Sequence, residues 1–231
     1  MIYALHGMLG DARDWQGLGI GVRAVDLWRQ LELGADLEAW GRNFNEQVVG
    51  EGHDLVGYSM GGRLALHALL DRPRAWRSLV VLSTHPGLSD LRQRELRLKE
   101  DRAWAVLARS LPWADFLQKW NAQAVLKSVE PSAGQMDLQD RRERVARAFE
   151  CWSLGRQEDL RGALAGCCTP VLWITGELDE KFTQLVAEVV SGNHFFEHQV
   201  IAGAGHRLLF ENKDVLKRLK IVIGDFQKRF M

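Results

Sequence analysis

Residues 55–63 read Leu55-Val56-Gly57-Tyr58-Ser59-Met60-Gly61-Gly62-Arg63, and the five in the middle form a G-x-S-x-G motif. The apolar pair before the motif is typical of a buried strand, and residues 62–66 after it are typical of a helix start. The glycines let the chain turn sharply, so that the serine hydroxyl stands exposed above the sheet beside a helix N-terminus. This context predicts that Ser59 is a catalytic serine.

Two later loops supply the acid and the histidine that such a serine requires, in the chain order serine, acid, histidine. Asp179 comes shortly after the apolar run that ends at Ile174, and His206 comes shortly after the run that ends at Ile201. We predict that His206 takes the proton of Ser59 while Asp179 fixes the imidazole tautomer and supports the imidazolium. Two neighbouring glutamates are alternatives for the acid, Glu177 and Glu180.

A site for negative charge is expected beside the serine. His6-Gly7 closes the first predicted strand, and the amide after this point is the second oxyanion donor in enzymes with this serine motif. The first donor is the amide that follows the nucleophile. We therefore predict that the backbone amides of Met8 and Met60 stabilise the developing charge, while both side chains only pack.

Short apolar runs alternate with helical stretches along the chain, which is the sequence form of repeated βαβ units and a buried parallel sheet. The predicted strands are Ile2–Leu5, Val22–Leu27, Asp54–Tyr58, Leu79–Ser83, Val171–Thr175 and Gln199–Ile201. The predicted helices are Leu37–Val49, Met60–Leu70, Glu180–Val190 and Lys213–Phe226. Together with the serine motif, this alternation predicts an α/β-hydrolase fold, with a mostly parallel central sheet flanked by helices.

The alternation stops between Leu88 and Gly166, where charged helical sequence carries Trp and Leu at helical spacing. Pro112 and the stretch Pro131–Gly134 predict turns between the helices of this region. We predict a helical cap subdomain at residues 88–166, inserted into a hydrolase core formed by residues 1–87 and 167–231.

Composition excludes several classes of partner. Lys+Arg and Asp+Glu both total 30, so no net field attracts nucleic acid or an anionic membrane. Three cysteines without a C-x-x-C spacing indicate neither a disulfide framework nor a zinc site. No signal-peptide pattern opens the chain, and no apolar run approaches the roughly 20 residues of a membrane span. We expect a cytoplasmic protein; the sequence does not indicate its oligomeric state.

One motif is similar to a metal site. Residues His194–His198 have the form H-x-x-E-H, which binds zinc when a helix places both imidazoles on one face. Gly192-Asn193 precedes the motif and a predicted strand follows it, so no helix of useful length fits. We predict no metal site and no cofactor.

Further stretches resemble one family, the 2-succinyl-6-hydroxy-2,4-cyclohexadiene-1-carboxylate synthases of menaquinone biosynthesis, over most of the chain. The most specific pieces are Leu5-His6-Gly7 with Gly10 and Trp15, Val56–Arg63, His85-Pro86-Gly87-Leu88 with arginines after it, Trp120 with Gln123, and Asp179-Glu180-Lys181-Phe182. Generic esterases share the serine motif but seldom the rest. Arg63 after the double glycine and His85–Leu88 before an arginine-rich helix discriminate best.

This resemblance implies a substrate with carboxylates on a cyclohexadiene ring, a succinyl arm and an enolpyruvyl ether, and an elimination that expels pyruvate without an acyl-enzyme. Such a polycarboxylate requires cationic clamps, and guanidinium groups bind carboxylates bidentately. The substrate-binding residues that the resemblance implies are Tyr58, Arg63, Arg97, Trp120, Gln123 and a cap arginine, Arg141 or Arg142, of which we choose Arg142. Without the resemblance, the helix that carries Arg97 has the mixed charges of a solvated face.

The resemblance also implies that Ser59, activated by the histidine and the acid, is the base that removes a ring proton while the oxyanion site stabilises dienolate-like charge. Two alternatives stay open. One is a serine carboxylesterase or thioesterase, such as an acyl-carrier-protein methyl ester esterase, with Ser59 as nucleophile. The other is a non-catalytic binding module on the same fold. The chain departs from the family in two places. It starts at the strand that is usually the third, and residues Val25–Arg29 differ from the loop that the family usually has there. We expect Trp28 to reshape one wall of the site.

Overall fold

The computed structural model describes residues 1–31, 36–127 and 129–230. Its centre is a parallel sheet of six strands in the order β2-β1-β3-β4-β5-β6. The strands are β1 (Ile2–Leu5), β2 (Val22–Val25), β3 (His53–Tyr58), β4 (Trp76–Leu82), β5 (Val171–Gly176) and β6 (Phe196–Ile201). This is the mostly parallel, helix-flanked sheet that the sequence predicts.

Helices cover both faces of the sheet. Outside the region between β4 and β5 they are α1 (Leu27–Gln30), α2 (Leu37–Gln47), α3 (Met60–Asp71), α8 (Glu180–Ser191) and α9 (Lys213–Lys228). Alternate strand residues point to opposite faces, so Leu55 and Trp173 pack with α2, α3 and α8, while Val56 and Leu172 pack with α9. Burial on both faces explains why the strands are continuous apolar runs.

Three predicted strand boundaries are wrong. β4 starts at Trp76 and not at Leu79, because the polar residues Arg77 and Ser78 lie within the strand and donate hydrogen bonds to Asp54 of β3. The second predicted strand extends to Leu27, but β2 ends at Val25 because the Asp26 carboxylate accepts a hydrogen bond from the Trp28 amide at 3.1 Å and caps α1. The last predicted strand starts at Gln199, whereas β6 starts at Phe196. Several side chains of β6 are exposed, since it lies at the sheet edge, and its polar residues hide the strand pattern.

Between β4 and β5 the described residues form helices and no strand. The α-helices are α4 (Leu91–Ser110), α5 (Trp113–Asn121), α6 (Arg142–Cys151) and α7 (Arg161–Ala165), and 3-10 turns span Ala124–Leu126 and Ala133–Arg141. Pro112 lies at the start of α5, as its breaker role predicts. The division at residues 88 and 166 stays a prediction, and we use "cap" below for residues 88–166.

The connections place a crevice at one end of the sheet. β1 lies between β2 and β3, so the chain leaves β1 toward one edge and later returns to its other side. Open α/β sheets bind ligands at such a switch point, beyond the carboxyl ends of the strands. His6 follows β1 and Ser59 follows β3, so both lie at this crevice. Within the described ranges, no helix is long and apolar enough to cross a membrane.

Candidate active site

Ser59 lies on a sharp turn between β3 and α3. Its backbone φ of 51° and ψ of −111° fall outside the regions that non-glycine residues favour, and its amide donates to the Leu82 carbonyl at 2.8 Å. The turn fits only glycine at two flanking positions. A Cβ on Gly57 would lie 2.6 Å from the Gly62 Cα, and a Cβ on Gly61 would lie 2.3 Å from the Leu5 carbonyl oxygen. The backbone strain is thus held by close packing of the neighbouring strand ends.

The structure brings the three predicted catalytic side chains together. The Ser59 Oγ lies 3.3 Å from His206 Nε2, and His206 Nδ1 lies 2.7 Å from Asp179 Oδ2. Because the carboxylate accepts a hydrogen bond from Nδ1, Nε2 is free to accept the serine proton. His206 and Asp179 are both buried. The two alternative acids are exposed, and Glu177 accepts a hydrogen bond from the Gly203 amide instead.

Backbone bonds fix the acid loop against the histidine loop. The Glu177 amide donates to the Ile201 carbonyl at 3.0 Å, and the Leu178 amide donates to the Ala204 carbonyl at 2.9 Å. The Phe182 ring contacts the His206 imidazole edge-on, with ring centroids 4.7 Å apart. These contacts hold the imidazole toward the serine.

The loop after β1 carries the predicted second oxyanion donor. Met8 and Met60 both line a cavity beside Ser59, which supports their amides as the proposed donors. His6 fixes this loop, since its Nδ1 donates to the Gly7 carbonyl and its Nε2 accepts from an amide of the turn after β2. Burial lowers the pKa of His6 to about 4, so the ring is neutral and able to accept.

Trp28 contacts the same loop, the one that follows β1. Its indole N–H donates to the Gly10 carbonyl at 2.7 Å, and its ring lies 5.2 Å from the His6 ring. The side chain is fully buried and is not among the residues that line the cavity beside Ser59. Residues 25–29 therefore support the loop that carries the proposed second oxyanion donor, and Trp28 does not form a wall of the cavity.

A cavity of about 440 Å³ lies between Ser59 and the cap. Four of the predicted substrate contacts line it: Arg63, Arg97, Trp120 and Gln123. Residues that were not predicted as contacts also line it, including Lys181, Phe182, His85, Gln93, Glu100 and Asp101. Lys181 and Phe182 belong to the Asp179–Phe182 stretch, and His85 belongs to the His85–Leu88 stretch. Both stretches are among the specific pieces of the family resemblance, so each could have predicted these residues as part of the cavity wall.

Arg63 is a buried cation in the cavity wall. Its two terminal nitrogens donate to neutral acceptors, the Trp152 carbonyl at 2.7 Å and the Gln157 side-chain oxygen at 3.3 Å. Burial and the nearby Arg97 lower the pKa of Arg63 to about 10, which leaves it protonated at neutral pH. A carboxylate beside it would offset the cost of the buried charge.

Arg97 is held by a buried carboxylate. Its Nε donates to Asp101 at 2.9 Å, and Asp101 also accepts from the Ser153 hydroxyl at 2.7 Å. This arrangement uses Nε and leaves the two terminal nitrogens of Arg97 available as donors. The cavity wall therefore holds one guanidinium on α4 and one on α3.

The other two predicted contacts lie elsewhere. Arg142 donates to the Ala108 and Leu111 carbonyls at 3.0 and 2.5 Å, because it is the first residue of α6 and reaches back to the end of α4. Arg141, the alternative, pairs with Asp26 at 2.7 Å. The structure thus brings neither cap arginine to the 440 Å³ cavity. Tyr58 lies in a smaller cavity on the same serine and histidine.

The H-x-x-E-H stretch is not on a helix, since β6 begins within it. His198 Nε2 lies 2.8 Å from the Thr175 hydroxyl, and His194 is exposed. In the part of the chain that the structure describes, no group of three or more His, Cys, Asp or Glu side chains is placed to bind a metal ion.

Comparison with known proteins agrees with this geometry. The sequence profile of the alpha/beta hydrolase family matches residues 2–218. The 2-succinyl-6-hydroxy-2,4-cyclohexadiene-1-carboxylate synthase of Citrobacter koseri is 33% identical over 90% of this chain and 87% of its own length. The synthase of Enterobacter sp. is 31% identical over 90% and 85%. The chain belongs to this synthase family, within the α/β-hydrolases. The predicted fold class and family resemblance are confirmed.

A solved structure supports the fold of this family member independently. The structure of MenH from S. aureus superposes with a TM-score of 0.84 at 22% identity, over 99% of this chain and 93% of that one. At this identity the likeness concerns the fold alone. The functional assignment of individual residues therefore depends on the site geometry of this chain.

Proposed function

We propose that this protein eliminates pyruvate from a 5-enolpyruvyl-6-hydroxy-2-succinylcyclohexene carboxylate, giving 2-succinyl-6-hydroxy-2,4-cyclohexadiene-1-carboxylate in menaquinone biosynthesis. The observation that carries this proposal is the cavity beside Ser59, because the cations Arg63, Arg97 and Lys181 line the same cavity as the serine. A neutral ester has no need of them, whereas a polycarboxylate does. The named activity of the curated relatives is the same.

The proposed catalytic steps use only side chains and backbone amides of this chain. His206 takes the proton of Ser59, with Asp179 stabilising the imidazolium, and the serine oxygen then removes a ring proton. The electron pair moves through the ring and breaks the carbon–oxygen bond to the enolpyruvyl group. His206 returns its proton to the departing enolate, which becomes pyruvate.

Negative charge develops on the substrate during these steps. The Met8 and Met60 amides are the proposed donors to it, beside the N-terminus of α3. Arg63 and Arg97 hold carboxylates in the ground state and in the transition state alike, so they lower KM more than they raise kcat. No cofactor is required, because side chains perform the proton transfers.

The experiment that tests the proposal supplies the enolpyruvyl intermediate beside a nitrophenyl ester. We expect rapid pyruvate release, followed by reduction with lactate dehydrogenase, and negligible ester cleavage. Ser59→Ala abolishes pyruvate release if the serine is the base. Wild-type rates in this variant would contradict the mechanism, and ester cleavage faster than pyruvate release would favour the esterase alternative. Failure of a serine-reactive inhibitor to label Ser59, without turnover of either compound, would favour a binding module.

We further propose a cytoplasmic location for this enzyme. Its three cysteines are all free, and Cys167 is buried in the core, which suits a reducing compartment. The proposed partner is the small polycarboxylate substrate.

A further inference from the structure

A second cavity, of about 40 Å³, adjoins Ser59 and His206. It shares the serine, the histidine and Met8 with the larger cavity, but it contains none of Arg63, Arg97 or Lys181. Its polar lining comes from Asp14, Tyr58, Ser132, Gln135 and Arg207. The volume accommodates about three water molecules, or one group of the size of a carboxylate.

Arg207 is the cation of this smaller cavity. It follows the proposed catalytic histidine directly and is only 4% exposed. Its guanidinium donates to the Val129 carbonyl at 3.2 Å and to the side-chain oxygen of Asn121. Both acceptors are neutral, and a guanidinium has five N–H donors. Among the residues that the structure describes, no carboxylate forms an ion pair with Arg207.

A buried cation without a counter-charge is costly in free energy, so an anion beside it is favourable. Arg142 has a comparable pair of carbonyl acceptors, but it lies far along the cap at the end of α4. Arg207 instead lines a cavity that opens on the serine. The difference between the two arginines is therefore the adjacent space.

The acid in the same cavity does not prevent anion binding. Asp14 accepts from the Asp11 amide at 3.0 Å and lies 3.5 Å from the Ser132 hydroxyl. Burial raises the pKa of Asp14 to about 7, so a large fraction of it is protonated at neutral pH and can donate a hydrogen bond. Burial also raises the pKa of Tyr58, which keeps its hydroxyl proton.

We propose that Arg207 and the small cavity form a carboxylate subsite that binds the carboxylate of the departing enolpyruvyl group. The inference rests on the proposed function, because the three-carbon group must leave from beside the serine and the histidine. The large cavity, with three cations, takes the ring and the succinyl carboxylate. The small cavity admits one carboxylate and supplies the additional cation that Arg141 and Arg142 do not bring to the site.

The test compares Arg207→Gln and Arg207→Lys with a control, Arg218→Gln, at an exposed arginine of α9 that lines neither cavity. Each is measured for kcat and KM of pyruvate release and for inhibition by added pyruvate. We expect Arg207→Gln to raise KM and the pyruvate inhibition constant by roughly tenfold to a hundredfold, the usual effect of losing a charged hydrogen bond. Arg207→Lys restores part of the loss, since it keeps the charge but not the planar fork. The control stays within about twofold of wild type for both constants.

A structural role for Arg207 gives a different result. If it only ties the histidine loop to the cap, Arg207→Gln lowers the melting temperature and slows labelling of Ser59 by an uncharged fluorophosphonate, and pyruvate inhibition is unchanged. That result overturns the subsite. Unimpaired labelling together with weakened pyruvate inhibition supports it.

Binding of pyruvate, measured by calorimetry without turnover, separates this inference from the proposed function. Weaker binding to Arg207→Gln than to wild type and to the control supports the subsite, whether or not the wild type performs elimination. Equal binding to all three proteins, or no binding at millimolar pyruvate, overturns it. A wild type that binds pyruvate but releases none from the intermediate contradicts the proposed function alone.

Discussion

Asp101 fixes the position of the Arg97 guanidinium, which we propose binds a carboxylate of the substrate. This carboxylate is buried, and it holds the Arg97 Nε and the Ser153 hydroxyl at the same time. It does not act on the reacting atoms in the proposed mechanism and is therefore a positioning residue. Its charge also balances part of the charge of Arg63, which lies close enough to interact with it.

Asp101→Asn is expected to raise KM for the enolpyruvyl intermediate by roughly tenfold while changing kcat by less than about threefold, because it loosens a ground-state clamp. Steady-state pyruvate release measures both constants. Glu95→Gln, an exposed acid on the same helix, serves as the control and leaves both unchanged. A fall in kcat at constant KM would show that Asp101 acts on the chemical step instead.

Buried neutral histidines make stability sensitive to acid. His67 on α3 is buried, and its Nε2 lacks a hydrogen-bond partner among the described residues. Burial, with a smaller contribution from Arg63, lowers the pKa of His67 to about 4 from the ordinary value of 6.5. The unfolded state therefore binds a proton first as pH falls. The stabilisation is complete above pH 6.5 and is lost as pH falls toward 4.

Between pH 7 and pH 5 this group should cost the wild type about 2 kcal/mol of the free energy of unfolding. His67→Gln removes the titration and should reduce the pH 7 to pH 5 difference by about that amount, measured by urea unfolding at the two pH values. His194→Gln, at an exposed histidine, should keep the wild-type difference. An unchanged difference in His67→Gln would show that folding does not lower the pKa of His67.

At the scale of elements, the turn from β3 to α3 depends on close contact with the end of β1. Gly61→Ala would place a Cβ 2.3 Å from the Leu5 carbonyl oxygen and 2.4 Å from the His6 carbonyl oxygen. Both are backbone atoms, so relief requires β1 to move away from α3. We expect a loss of several kcal/mol in unfolding free energy and of most pyruvate release.

Gly224→Ala on α9 is the matched control for that change. A Cβ there has open space, and alanine favours a helix over glycine by roughly 0.5–1 kcal/mol. Thermal unfolding of both variants gives the comparison. Similar melting temperatures for Gly61→Ala and wild type would mean that the end of β1 moves away from α3 without a loss of stability.

The sequence predicts elements best where burial is symmetrical. β3 and β5 are buried on both faces and read as apolar runs, and their boundaries agree with the prediction within one residue. β6 is an edge strand with polar side chains, and α1 is a single capped turn; neither has a distinctive period. The spacing of apolar residues indicates which faces of a strand or helix are buried, but it does not indicate which other elements cover those faces.

The residues of the candidate site also divide into those whose position the sequence predicts and those whose position it does not. Ser59, Asp179 and His206 follow strand ends in one sheet, so their meeting is a consequence of topology and was predictable. The environments of Arg142 and Arg207 depend on how the cap packs on the core, with contacts between residues about 80 apart for Arg207. No spacing rule in the sequence specifies such contacts. The sequence therefore predicts neither that Arg142 lies outside the 440 Å³ cavity nor that Arg207 lines the smaller one.

For the whole molecule, the cap and the sheet share one apolar core. Phe116 and Phe149 of the cap are buried in the same cluster as Leu55 of the sheet and Trp40 of α2. Trp152, fully buried, packs edge-on against Trp40 with ring centroids 6.3 Å apart. A cap with its own core would unfold separately; one that shares the core unfolds with the rest.

We therefore expect a single cooperative unfolding transition, with near-ultraviolet circular dichroism, far-ultraviolet circular dichroism and pyruvate release all lost at the same urea concentration. Trp152→Ala should shift all three together, since deleting a buried tryptophan costs about 3–5 kcal/mol. The Trp152 carbonyl also accepts from Arg63, and this backbone contact survives the substitution. Two resolved transitions, or a variant that loses cap signals at lower urea than sheet signals, would show that residues 88–166 fold as an independent unit.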